Sequence, residues 1–469
     1  MLFPTFDYFV FLPVVATIYH LLAGRGLRAG WLLLASFAFY VAWNPADTVI
    51  LLAVAAGAWG AGFLVARAPE SRRTPMLWAT VLTLVAPLVF YKYTGFILDN
   101  LRLVWPDAPP PPPRHLPIGI SFYTFQALAY VIDVRRGEAP ERNPARFLTF
   151  LLFFPHLVAG PILRANVLLA QVRAAPTPTR EDVGHAMARL CTGLVKKLLV
   201  ADVLRLGMVD SVFSDPARFT GVEVMFALYA YSLQIYCDFS GYTDFAIGSA
   251  RLFGFGIPEN FDRPYQADSV AGYWRRWHMT LSEWVRDYVY LPLGGSRGAG
   301  LVPYRNTMAT LMILAVWHGA NWTFVLYGVL HGLAVSLNRW WRKTGPGRSE
   351  VKGGPPKMQL PTWFAWGLTF HFVVIARILF RADDLTNAQA VLTSLLDPRW
   401  SLPRWSVHAW VVFALGWAWH FTPRSWVPAA RTRFAALPAP AWGLVLVLVA
   451  WACAMWGPGD TLSFIYHDF

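Results

Sequence analysis

Residues 49–66 read VILLAVAAGAWGAGFLVA, an unbroken apolar run with no charged side chain. A helix needs roughly 20 such residues to cross the hydrocarbon core of a bilayer, and this run with its flanks reaches that length. Similar stretches recur at roughly 8–22, 30–43, 47–65, 76–93, 118–134, 146–160, 186–208, 222–238, 305–317, 322–341, 363–380, 407–421 and 439–456. Some are too short to cross, so about ten to twelve crossings are expected, with one or two segments re-entrant or in the membrane plane. The fold class predicted is an all-α polytopic membrane protein.

The whole composition agrees. The 469 residues are 56% hydrophobic and only 14% charged, whereas a soluble domain carries about a quarter charged residues. No polar passenger domain is visible, so one membrane domain is expected over 1–469. The opening MLFPTFDYFVFLPVVATIYHLL lacks a basic leader and a small-residue cleavage site, and reads as a retained helix. A net charge of +13 suits cytoplasmic loops rich in Arg and Lys better than nucleic acid. The loops GRGLRAG and RAPESRRTP carry those arginines, while the N-terminus and the loop around Asn44–Asp47 carry none. This places the N-terminus outside the cytoplasm. Cys191, Cys237 and Cys453 are far apart in apolar settings, which fits neither a disulfide framework nor a metal site.

Two linkers organise the chain. WPDAPPPPPRHLP, residues 105–117, cannot be helical because consecutive prolines donate no hydrogen bonds. KTGPGRSEVKGGPPKMQLP, residues 343–361, precedes the last spans. They mark N-terminal helices over 1–105, a core over 117–335 and C-terminal helices over 361–469. Within the core, Pro, Gly and charge interrupt the apolar pattern in FPHLVAGPILR, YCDFSGYTDFAIG and YWRRWHMTLSEWVRDYVYLPLGG. Irregular backbone at membrane depth is tolerated where it is buried in protein or lines a cavity, so function is expected there.

Eleven histidines are present, and most have bland explanations. His20, His115, His408 and His467 lie near span ends or loops, and His371 and His420 sit inside spans where a neighbour can bond them. His278 lies in YWRRWHMTLSEWVRDY. Read as one helix from about Gly272, that stretch gathers Trp274, Trp277, His278, Leu281, Trp284 and Val285 near one face. Arg275, Arg276, Glu283, Arg286 and Asp287 fall elsewhere. It is either an interfacial helix meeting lipid phosphates or a wall receiving an anionic substrate. His318 and His331 flank an expected helix break at HGAN, where Gly319 permits close approach and Asn321 can cap the next helix. Ionisable groups inside spans are functional candidates, and neutral imidazole serves as a general base near neutral pH. Asp238, Asp244 and Asp287 are the intramembrane carboxylates, readable as an ion path or as helix-to-helix bonding. HExxH and phosphate-loop patterns are absent.

Five blocks then carry a resemblance: LPIGISFYTFQALAYVIDVRRGE, FFPHLVAGPILR, the stretch from YCDFSGYTDFAIG through IPENFDRPY, YWRRWHMTLSEWVRDYVYLPLGG and WHGANWTFVLYGVLHG. Together they resemble the membrane-bound O-acyltransferase family, in particular its bacterial polysaccharide O-acetyltransferase membrane subunits. The tail FIYHDF is more polar than is usual in that branch. The resemblance implies about eleven spans around a transmembrane funnel, with an acyl thioester entering from the cytoplasm. It makes His318 the essential histidine and His278 a second catalytic one, with His331 at a recurring position. Asn321, Trp317 and Asp287 become supporting candidates, and Arg275, Arg276 and Trp277 donor-binding candidates. The implied donor is acetyl-CoA without a metal. The implied setting is the bacterial inner membrane, among lipid, with a periplasmic partner and a polysaccharide acceptor. Transfer of D-alanyl groups from a carrier protein to teichoic acids and an ion-coupled transporter are the alternatives.

Overall fold

The computed structural model describes residues 5–22, 24–110, 115–343, 360–401, 405–459, 462 and 464. Among the described residues every regular element is helical. Four helices among the described residues are long and apolar enough to cross a membrane: Pro45–Arg67, Glu70–Val104, Thr362–Arg381 and Ala439–Trp456. Phe6–Leu21 and Gly26–Val41 are shorter apolar helices. The protein is an all-α polytopic membrane protein. Part of the first linker, residues 111–114, most of the second, residues 344–359, and His467 in the tail lie outside the described residues.

The chain forms two compact units, each built from separated stretches. The first comprises residues 1–194, 242–258 and 427–451, and the second 195–241, 259–426 and 452–469. The segment 117–335 contributes to both.

In the first unit, Asn44 caps Pro45–Arg67 by accepting from the Ala46 N–H, with proline in the first turn. This helix packs tightly on Ile120–Arg135, since a Cβ on Gly62 would stand 2.8 Å from the Tyr130 ring. Residues 153–163 are non-helical yet buried throughout, which is the allowed form of irregular backbone at membrane depth. Gly160 turns this segment so sharply that a Cβ would meet the His156 Cα at 2.4 Å. Asp244 accepts from Arg189 at 2.7 Å and from Arg431 at 2.9 Å in the same unit.

In the second unit, Val302–His318 and Trp322–Lys343 form an antiparallel pair. A Cβ on Gly328 would meet Ala315 Cβ and Met312 Sδ at 2.9 Å, and one on Gly332 would meet Met308 Sδ at 2.5 Å. Small residues one turn apart let membrane helices approach this closely, and His331 sits between them. Lys197 is buried between Asp202 and Asp238, each 2.8 Å away.

Two expectations are corrected. YCDFSGYTDFAIG does not interrupt a span: it lies inside the unbroken 32-residue helix Gly221–Leu252. Gly241 is tolerated there because helical glycine costs only about 1 kcal/mol, and the two aspartates find cations on other helices. Residues 272–285 do not form one helix. Val270–Trp274 ends, the chain turns through Arg275–His278, and Met279–Val285 begins afresh. Trp274, Trp277, His278, Leu281, Trp284 and Val285 are nevertheless all buried, and Arg275, Glu283 and Arg286 exposed.

Candidate active site

All three candidate histidines belong to the second unit, and each is at most 1% exposed. His318 is the last residue of Val302–His318. Its Nδ1 lies 2.8 Å from the Leu314 carbonyl oxygen one turn back. A carbonyl only accepts, so Nδ1 carries the hydrogen and the lone pair of the neutral ring falls on Nε2. The chain then leaves the helix through Gly319, whose Cβ would stand 2.1 Å from the Phe324 ring. Only glycine fits at that crossing. Trp317, Phe380 and Phe324 wall the imidazole, with ring centres 5.1, 5.2 and 6.4 Å away.

His278 has φ +43° and ψ 55°, a left-handed conformation that costs a non-glycine residue about 1–2 kcal/mol. Buried Asn260 holds the strained turn. Its carbonyl accepts from the Met279 N–H at 2.9 Å, and its Oδ1 accepts from the Thr280 hydroxyl at 3.0 Å and N–H at 3.3 Å. The imidazole packs edge-on to Phe239 at 4.7 Å and against Trp317 at 5.8 Å. The Trp317 indole therefore touches both His278 and His318.

His331 has the opposite tautomer. The Trp274 indole N–H donates to its Nδ1 at 3.2 Å, and an indole nitrogen cannot accept, so Nε2 carries the hydrogen in the neutral ring. Tyr327 packs against it, tilted, at 4.3 Å and touches Phe380 at 5.4 Å, joining His331 to the wall of the His318 site.

A cavity of about 570 Å³ adjoins this cluster, within the roughly 300–1,000 Å³ usual for small-molecule sites. Trp274 and Leu314 line it. Trp274 donates to His331 and the Leu314 carbonyl bonds His318, while the three histidines themselves are outside the lining. Arg275, Arg339, Arg342 and Lys343 line it as well, the last three from the C-terminal end of Trp322–Lys343.

The remaining sequence candidates fall in different places. Arg276 is half-buried, its carbonyl accepting from the Asp262 N–H at 2.9 Å, and is outside the cavity lining. Trp277 is buried beneath the Arg377 guanidinium, 4.3 Å from its ring centre. Asp287 pairs with its exposed neighbour Arg286 at 2.8 Å. Asn321 is engaged as a helix cap: its Oδ1 accepts from Thr323 N–H at 3.1 Å and its Nδ2 donates to the Asp383 carbonyl at 2.7 Å. His371 bonds the Gly367 carbonyl and Tyr229 hydroxyl, and His420 is buried against Tyr236 and Tyr265.

The sequence reading passed over Asn260 and Arg377. Asn260 lies in the IPENFDRPY block, and Arg377 is a charge inside the apolar run FVVIARILF. The criterion applied to histidines within spans reaches this arginine as well.

The description "MBOAT, membrane-bound O-acyltransferase family" matches residues 120–379. The chain belongs to the membrane-bound O-acyltransferase family and is an O-acyltransferase. It is 37% identical over 387 residues to the probable alginate O-acetylase AlgI of Pseudomonas aeruginosa, spanning 81% of this chain and 72% of the relative. The peptidoglycan O-acetyltransferase of Helicobacter pylori is 33% identical over 398 residues, 78% of this chain and 73% of the relative. The teichoic acid D-alanyltransferase of Bacillus subtilis is 28% identical over 298 residues, 60% of this chain and 74% of the relative.

Proposed function

We propose that this protein is a membrane O-acetyltransferase of the bacterial inner membrane, N-terminus on the periplasmic side. It takes acetyl groups from cytoplasmic acetyl-CoA and delivers them, through a periplasmic partner, to hydroxyl groups of an exopolysaccharide of the alginate or cellulose kind. The observation that carries the reading is the Leu314 carbonyl on His318 Nδ1, which leaves Nε2 as the basic nitrogen of a buried ring. In the reaction the acceptor oxygen bonds to the thioester carbon while His318 Nε2 takes its proton. The C–S bond then breaks with its electron pair on sulfur, and the imidazolium returns the proton to the departing thiolate. His278, packed on the same tryptophan, supports that exchange.

The basic cavity suits the donor. Guanidinium and ammonium groups recognise phosphates through charge-assisted hydrogen bonds, and four such side chains line a cavity that Trp274 and Leu314, partners of His331 and His318, also line. Polysaccharide as acceptor rests on the names of the similar proteins from Pseudomonas aeruginosa and Helicobacter pylori.

The test follows thiol release from acetyl-CoA by the protein in nanodiscs, with extracted exopolysaccharide and candidate periplasmic proteins. His318→Ala should lose about two to four powers of ten in turnover. Wild-type protein inert with acetyl-CoA yet active with a D-alanyl carrier protein would replace this reading with D-alanyl transfer.

A further inference from the structure

Arg377 lies inside the Thr362–Arg381 helix and is fully buried. Buried Arg263 is held by the Thr422 hydroxyl at 3.1 Å. Buried Arg189 and Lys197 have carboxylate partners, Asp244 for the first and Asp202 with Asp238 for the second, and half-buried Arg381, one turn beyond Arg377, has Asp210 at 2.9 Å. Arg377 has none among the described residues. Its Nη2 donates to the Tyr273 hydroxyl at 2.6 Å, and its Cζ stands 4.3 Å from the Trp277 ring centre and 5.1 Å from that of Phe380. Tyr231, Tyr265 and Tyr327 complete the neutral surroundings. Nε and Nη1 have no hydrogen-bond partner among the described residues.

Such an arrangement is costly. A buried charge without a counter-ion is penalised by several kcal/mol, and phenol oxygens with aromatic faces return only part of that. Stability alone favours an apolar side chain at this position. The surroundings show where the charge can act, because Phe380 touches both Arg377 and His318, at 5.1 and 5.2 Å. Trp277, the other face of the cage, directly precedes His278. A fixed cation without a carboxylate therefore packs on the same Phe380 ring as the candidate base.

We propose that Arg377 is a catalytic residue that stabilises the oxyanion formed when the acceptor hydroxyl adds to the thioester. As the new C–O bond forms and the proton passes to His318, the carbonyl π pair moves onto oxygen. One N–H of the Arg377 guanidinium meets that charge, since Nε–H and Nη1–H point to opposite sides of the planar group. Collapse of the intermediate returns the pair to the carbonyl and expels the thiolate. Preorganised donors of this kind act most strongly where water is excluded. The inference rests on the acyl-transfer reading above.

The experiment compares wild type, Arg377→Met and Arg377→Lys in nanodiscs, measuring melting, acetyl-CoA turnover and binding of two inert donor analogues. One analogue replaces the thioester with a neutral methyl ketone, the other with an anionic methylphosphonate. Arg377→Met should melt no lower than wild type, because replacing a buried charge by an apolar side chain is often neutral or stabilising. Its turnover should fall about a hundredfold or more with donor KM nearly unchanged, and Arg377→Lys should recover part of the loss. Wild type should prefer the phosphonate, and Arg377→Met should lose that preference while binding the ketone normally. Equal preference in both proteins, or loss of turnover only in step with melting, would overturn the proposal while leaving acyl transfer intact. A wild type that binds neither analogue and releases no thiol would remove the donor reading and this inference together.

Discussion

His318 Nδ1 and the Leu314 carbonyl oxygen are 2.8 Å apart, so the helix that carries the imidazole also sets its tautomer. The two ring nitrogens should then respond differently to methylation. Histidine methylated at Nε2, introduced at position 318, blocks the nitrogen assigned as base and should cost about two to four powers of ten in turnover. Methylation at Nδ1 removes the tether and sets a methyl against the Leu314 carbonyl, so the ring must shift, but it leaves Nε2 basic and should cost less, on the order of tenfold. Thiol release by the two semisynthetic proteins checks this, and the reverse order would place the base on the other nitrogen.

The cations lining the cavity predict a distinct kinetic signature. Removing Arg342 and Lys343 together should raise the KM for acetyl-CoA by about fivefold to tenfold, since partly exposed charges contribute on the order of 1 kcal/mol each. Turnover at saturation should stay near wild type. A short acetyl thioester without phosphates should be used equally well by both proteins. A matching loss with the short donor would assign these side chains to the fold rather than to phosphate recognition.

Asp244 between Arg189 and Arg431 bears on the transporter alternative. As a structural anchor, Asp244→Asn leaves one buried and one half-buried guanidinium group without their carboxylate and should cost about 3–5 kcal/mol of stability. Melting in detergent should fall accordingly. Wild-type melting combined with altered proton uptake into vesicles would instead favour an ion path.

Much of this architecture is legible in the sequence because lipid imposes simple rules. Apolar runs mark spans, and Asn321 at the head of WTFVLYGVLHG marks a helix start that the structure contains. The break at Arg275–His278 is hidden because burial follows helical spacing straight through it. What interrupts the helix is Asn260, bonded from outside the stretch. The continuity of Gly221–Leu252 through Asp238 and Asp244 is hidden for a related reason. The cations that make those carboxylates tolerable, Lys197, Arg189 and Arg431, lie far off in sequence. Arg377 is visible as a charge in an apolar run, but its want of a carboxylate is a property of tertiary packing alone.

The left-handed backbone of His278 has a consequence for anyone trying to make this enzyme sturdier. At φ +43° glycine is the unstrained residue, so His278→Gly should melt higher than His278→Ala by an amount equivalent to about 1 kcal/mol, inverting the usual order of the two. Thermal challenge of the pair in detergent checks this. A campaign selecting only for heat resistance will therefore be drawn toward glycine at 278, and each such success would discard a buried imidazole packed on Trp317. With the proposed role for that imidazole, robustness and turnover make opposite demands on this one residue.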